Sequence, residues 1–209
     1  MSDLARWLSR EDLRSDGAAN EVVEVVRRNP GFLSDLIDAL SSSDPATRGH
    51  AADALEKLGR GHASDLRRHL PIFLKALRND EVAMVRWHMA MLLGHLSRDL
   101  RLVPRLVAAL VRAARDPSVF VQSWAVTSLC LIARQVPSRA GSIAGTIAPL
   151  TRSSSVALRG RARRALSLIA NPTAPFPRGW IKAQALKHFE SGGGPALSSG
   201  RRRARTQRR

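Results

Sequence analysis

Four ungapped segments of twelve residues recur along the chain: 47–58 "TRGHAADALEKL", 85–96 "VRWHMAMLLGHL", 121–132 "VQSWAVTSLCLI" and 158–169 "LRGRARRALSLI". Their starts lie 38, 36 and 37 residues apart. No other feature constrains the fold as much, because a unit of that length cannot close a core alone and must stack on copies of itself. The apolar positions sit at matching offsets: Ala51/Leu55/Leu58, Met89/Leu93/Leu96, Ala125/Leu129/Ile132 and Ala162/Leu166/Ile169. Steps of four and three place each set on one helix face. A second helical stripe precedes three of them, at Leu33/Leu36/Ile37/Leu40, Leu70/Phe73/Leu74/Leu77 and Val103/Leu106/Val107/Leu110. Each repeat therefore reads as a pair of helices.

The punctuation agrees. Pro71 and Pro104 stand one residue into their stripes, near a helix start, where a missing N–H costs little. The turns inside the pairs are "SSSDP", "RNDE" and "ARDPS". Asp44 and Asp116, each followed by proline, suit an N-cap with Pro at the first helical position, and Asp80 sits in the equivalent turn.

This pattern resembles the HEAT-repeat family over about residues 30–170, most closely in "LPIFLKALRNDEVAMVRWHMAMLLGHL" (70–96). The likeness rests on a proline and Leu stripe in the first helix, an Asp-bearing turn, and an apolar-Arg pair leading into an Ala/Leu-rich second helix. Gln122 departs from it, standing where Arg48, Arg86 and Arg159 stand, and the fourth turn "RSSSV" has no Asp. The first helix of the fourth repeat aligns either on Ile143/Ile147/Leu150 or on Pro149. The fold expected is all-α: a right-handed α-solenoid of about four HEAT-like hairpins with short capping helices at both ends.

The expected organisation follows. Residues 1–29 hold capping helices at 2–9 and 21–28, and 30–170 are the array. "ANPTAPFP" (170–177) breaks the helix, and within 171–190 a short amphipathic helix spans 178–190 with Trp180, Ile181, Ala185 and Phe189 as its apolar face. Residues 191–209 are a Gly/Ser linker followed by the tail "RRRARTQRR".

Charge divides this organisation in two. Residues 1–116 carry 18 Lys+Arg against 16 Asp+Glu, whereas residues 117–209 carry 16 against one, Glu190. A one-signed field at one end attracts a polyanion, of which nucleic acid is the commonest. Cys130, the one cysteine, excludes an intrachain disulfide and fits a reducing compartment. The N-terminal "MSDLARWLSREDLRSD" mixes acids and bases and does not read as a secretory signal. No apolar window is long enough to span a bilayer. The expected location is cytoplasmic, or nuclear in a eukaryote.

The candidate polyanion site has two parts. The tail arginines Arg201, Arg202, Arg203, Arg205, Arg208 and Arg209 can pair bidentately with phosphates, as can Arg159, Arg161, Arg163 and Arg164 around the last buried stripe. The resemblance implies that second helices line the concave surface and that several of these helix arginines face it. One offset of the second helices reads His50, His88, Trp124, Arg161, which makes His88 and Trp124 the groove candidates for base stacking, although filling gaps between layers is the simpler role. Arg48, Arg86 and Arg159 are expected to bond turn acids or neighbouring repeats.

No metal site is expected, because the six histidines never form an i,i+4 pair around an acid and Cys130 has no partner. No cofactor or small-molecule substrate is expected either. The leading reading is a non-enzymatic module that binds nucleic acid or a nucleoprotein, and the alternative is a scaffold for an acidic peptide or protein. HEAT-like arrays include the alkylpurine DNA glycosylases, and Trp87 and Trp124 sit on second helices. However, the Trp-Asp pairing that this resemblance requires is absent, and the pI near 11.8 disfavours the family's bilin lyases.

Overall fold

The N-cap expected at Asp44 is present, whereas the helix expected to start at Asp116 and Pro117 begins at Val119 after Ser118, so Asp116 and Pro117 lie in the turn before it and not at its N-cap and first position. The computed structural model describes residues 3–9, 13 and 18–192. Among these are ten α-helices: α1 (Asp3–Leu8), α2 (Ala19–Arg28), α3 (Leu33–Asp38), α4 (Pro45–Leu66), α5 (Leu70–Asn79), α6 (Ala83–His95), α7 (Val103–Ala113), α8 (Val119–Gln135), α9 (Ala140–Ile147) and α10 (Val156–Ala170). Asp44 caps α4 by accepting the N–H groups of Ala46 and Thr47 at 3.3 and 2.8 Å, with Pro45 as the first helical residue. Asp80 and Asp116 accept the N–H groups of Val82 and Ser118, each at 2.8 Å. Ser155 takes over this role at α10.

The second helices α4, α6, α8 and α10 stack side by side as one layer, and α3, α5, α7 and α9 pack behind them. The stripes of the first three repeats are fully buried, Leu55, Leu93 and Leu129 among them. In α10 the register shifts. Ala165 and Leu168 are buried, whereas Leu166 and Ile169 are half-buried, since no further helix pair covers them among the described residues. The first helix of the fourth repeat aligns on Ile143 and Ile147, both buried, and Pro149 falls in a 3-10 turn, Ala148–Arg152.

The repeated arginine fixes the spacing between repeats. Arg48 Nη1 donates to the Ser42 carbonyl of its own turn at 2.9 Å, and its Nε donates to Asp80 of the next turn at 3.0 Å. Arg86 repeats this, donating to the Asp80 and Glu81 carbonyls and gripping Asp116 with two bonds of 2.8 and 3.0 Å. The side chains are about nine-tenths buried, so these pairs hold more firmly than surface ones. At Gln122 the ladder stops.

Candidate functional site

The basic end begins where the ladder ends. Arg159 Nη1 donates to the Ser153 and Ser154 carbonyls at 2.7 and 2.9 Å, as its counterparts do in their own turns. No later turn supplies an acid, so the fork edge that grips Asp80 or Asp116 in earlier repeats has no carboxylate here. Arg163 occupies the offset of Ala52, Ala90 and Val126, each fully buried, and it is exposed. A terminal repeat needs such a polar outer edge. Arg139, Arg152, Arg164 and Arg178 are exposed as well, and none of the five makes an ion pair among the described residues. Glu190, the one acid after Asp116, is held by Lys187 at 2.9 Å. The tail arginines 201–209 lie outside the described residues.

Arg161 differs from its neighbours. Its guanidinium lies 5.1 Å from the ring centres of both Trp124 and Trp180, and Nη1 donates to Thr127 Oγ1 at 2.7 Å. Burial lowers its pKa. This arginine anchors a chain segment as much as it offers charge. The segment is residues 171–192, which folds back over the side of the second-helix layer turned away from the first helices. Arg134 of α8 donates to the Ala174 carbonyl at 2.9 Å and lies 5.2 and 5.5 Å from the Phe176 and Phe189 rings. Ala183 and Ala185 then close one side of a cleft of about 500 Å³ at the ends of α4 and α6.

The amphipathic α-helix expected at 178–190 is a 3-10 helix, Gln184–Ser191. Its buried residues are Leu186 and Phe189, Ile181 and Ala183 just before it are buried too, and Ala185 is exposed. Ala183, Leu186 and Phe189 are three apart, the spacing that lines up on a helix of three residues per turn. With Phe176, Ile181, Leu186 and Phe189 all buried, the segment is part of the core.

The histidines of the ladder are packed inside the array. His50 is fully buried, with Nδ1 2.6 Å from the Leu8 carbonyl. His88 is buried too, with Nε2 3.4 Å from Asp53, and desolvation lowers its pKa against the pull of Asp53 and Glu56. His88 therefore packs between layers and does not offer a groove surface. Trp124 remains half-buried. Beside His88, Glu56 accepts hydrogen bonds from His95 Nε2 at 2.8 Å and from Arg60. Burial raises the Glu56 pKa, but those bonds outweigh it and bring it down to about 2.

No family model and no curated protein matches the chain. Solved structures do. A designed armadillo repeat protein in complex with the peptide (KR)4 is 15% identical, with a TM-score of 0.56 over 79% of this chain and 72% of that one. An engineered protein is 19% identical, with a TM-score of 0.58 over 94% of this chain and 100% of its own. A second designed armadillo repeat protein gives 14% and 0.55 over 90% and 98%. The fold is an armadillo/HEAT-like helical repeat.

In this armadillo-like array Cys130 is packed away, its thiol pushed up to about 12 mainly by burial. No group of three or more His, Cys, Asp or Glu side chains suited to a metal occurs among the described residues. No helix among them is long and apolar enough to cross a membrane. One exposed side chain escaped the sequence reading. Phe120, on the first turn of α8, is 64% exposed. The signal was present, since Phe120 precedes Val121 by one residue and so lies outside every apolar stripe.

Proposed function

We propose that the protein is a non-enzymatic helical-repeat module that binds the phosphate backbone of nucleic acid through its basic C-terminal end. The observation that carries this reading is the unpaired charge. Residues 117–192 hold ten Lys and Arg against one acid, and that acid is already paired. Arg152, Arg163 and Arg164 are exposed on the turn before α10 and on α10, and make no ion pair among the described residues, as a phosphate-binding surface requires. The tail adds six arginines. The (KR)4 peptide of the designed protein is basic, whereas this chain presents basic side chains itself and packs its own residues 171–192 against Arg134 and Arg161 of the second helices. The likeness thus supports a binding scaffold, and the charge supports the ligand.

One feature favours a second reading, a docking site for an acidic protein: the open fork edge of Arg159 matches the edges that hold Asp80 and Asp116. A single experiment separates the two. Arg152, Arg163 and Arg164 reversed to Glu should weaken binding to a DNA duplex strongly at physiological salt. Reversal of the exposed Arg28, Arg105 and Arg115 in the near-neutral half should have much less effect. Equal losses would mean that net charge acts without a site. A polyglutamate chain that competes as well as the duplex would give the acidic-protein reading the lead.

A further inference from the structure

Aromatic side chains are scarce here, nine Phe and Trp in 209 residues, yet six of them form one band. Trp87 of α6 meets Phe120 at 5.2 Å between ring centres. Phe120 and Trp124 are one turn apart on α8 and share a face. Arg161 bridges Trp124 to Trp180, Trp180 meets Phe176 at 6.2 Å, and Phe176 meets Phe189 at 6.1 Å. The two ends of the band differ. Phe176 and Phe189 are buried and anchor the returning segment, Trp87, Trp124 and Trp180 are half-buried, and Phe120 stands out at 64% exposure.

Core packing explains the buried end and leaves the open end unexplained. The positions aligned with Phe120 in the other repeats are Ala46, Met84 and Ala157, so the fold does not need a large ring there. Phe120 is supported from behind by Trp87, which holds its ring in place at low entropic cost. Arg161 lies within the band, Arg164 is one turn further along α10, and Arg178 is two residues before Trp180; the last two are exposed and unpaired.

We infer that this open end is a stacking platform for single-stranded nucleic acid, with Phe120 as the base-contacting ring and Arg164 and Arg178 as backbone contacts. A planar ring that shares one aromatic band with exposed arginines fits a base joined to its phosphates, and any base has a face to offer. A duplex keeps its base faces stacked inside and cannot use the ring. The inference rests on the backbone-binding reading above and narrows it to unpaired strands.

The test uses the full chain, a fluorescein-labelled 20-nucleotide oligothymidylate, and a 20-base-pair duplex. Phe120→Ala and Phe120→Leu should each weaken oligothymidylate binding about fivefold or more, the lower bound for one lost base–aromatic stack. Duplex binding and the salt slope should not move. Phe120→Trp should restore the affinity. Because Phe120 is mostly exposed, the melting temperature of each variant should match that of the parent. Unchanged oligothymidylate binding in Phe120→Ala would overturn the platform, as would a Phe120→Leu variant that binds like the parent or a loss shared equally by the duplex. If Arg152, Arg163 and Arg164 reversals weaken both nucleic acids while Phe120→Ala weakens neither, backbone binding stands and the platform falls. If the parent binds neither, both readings fall.

Discussion

Replacing Glu56 with Gln should remove a pH-dependent share of stability whose size follows from the structure. The Glu56 side chain is fully buried, and its carboxylate accepts Arg60 Nε at 3.0–3.1 Å and His95 Nε2 at 2.8 Å. Its pKa falls from 4.5 to about 2. A carboxyl whose folded pKa lies below its unfolded one adds stability that is complete above about pH 5 and is lost as pH falls toward 2. At about 1.4 kcal/mol per unit the share is about 3 kcal/mol at pH 7 and about 1 kcal/mol at pH 3. Gln keeps the shape and one acceptor but loses the charge that Arg60 and His95 bind. Urea unfolding followed by circular dichroism at pH 7, 5 and 3 measures the gap between parent and variant. Other carboxylates, Asp44 included, titrate alike in both proteins and cancel. A gap of about 3 kcal/mol at pH 7 that closes toward 1 at pH 3 is expected. A gap that is absent at pH 7, or constant with pH, would refute the assignment of Glu56 as a charged buried acceptor.

Two further expectations concern the core. Leu93→Ala, at a fully buried site on the helix between α4 and α8, should cost about 2–5 kcal/mol, while Leu100→Ala at a 62% exposed site should cost under about 0.5 kcal/mol; equal shifts in melting temperature would show that the core is misplaced. Cys130 should resist a thiol reagent at pH 8 in the folded protein and react once urea unfolds it, because burial holds the thiol near 12; labelling of the folded chain at the rate of a free cysteine would contradict this.

The array was readable in sequence because helix stripes are local patterns; of the two Asp-Pro caps, Asp44–Pro45 starts its helix and Asp116–Pro117 falls in the turn before α8. The arginine ladder was half readable. A common offset identified Arg48, Arg86 and Arg159 as structural, but the acids they grip lie one repeat away, with Arg48 reaching Asp80 and Arg86 reaching Asp116. The returning segment was the least readable. The prolines of 170–177 announced a break, but the reading of one amphipathic helix over 178–190 missed the 3-10 helix at Gln184–Ser191, and nothing local says which face of the array the segment covers. That face is set by Arg134 and Arg161, whose aromatic partners are brought to them only by the fold. His88 is buried and Trp124 is half-buried, so one sequence offset holds two different environments.

Salt dependence tests the central claim most directly. Each phosphate neutralised adds about 0.9 to the magnitude of the slope of log K against log salt on B-DNA. The intact protein should show a steep slope, and reversing Arg152, Arg163 and Arg164 should shallow it by about 2 to 3, because three phosphate contacts are removed. Deleting 201–209 should shallow it by up to about 5, with all sequences weakened alike, since six arginines leave with that segment. A slope of one or two in the intact protein, left unmoved by either change, would contradict backbone binding at this end.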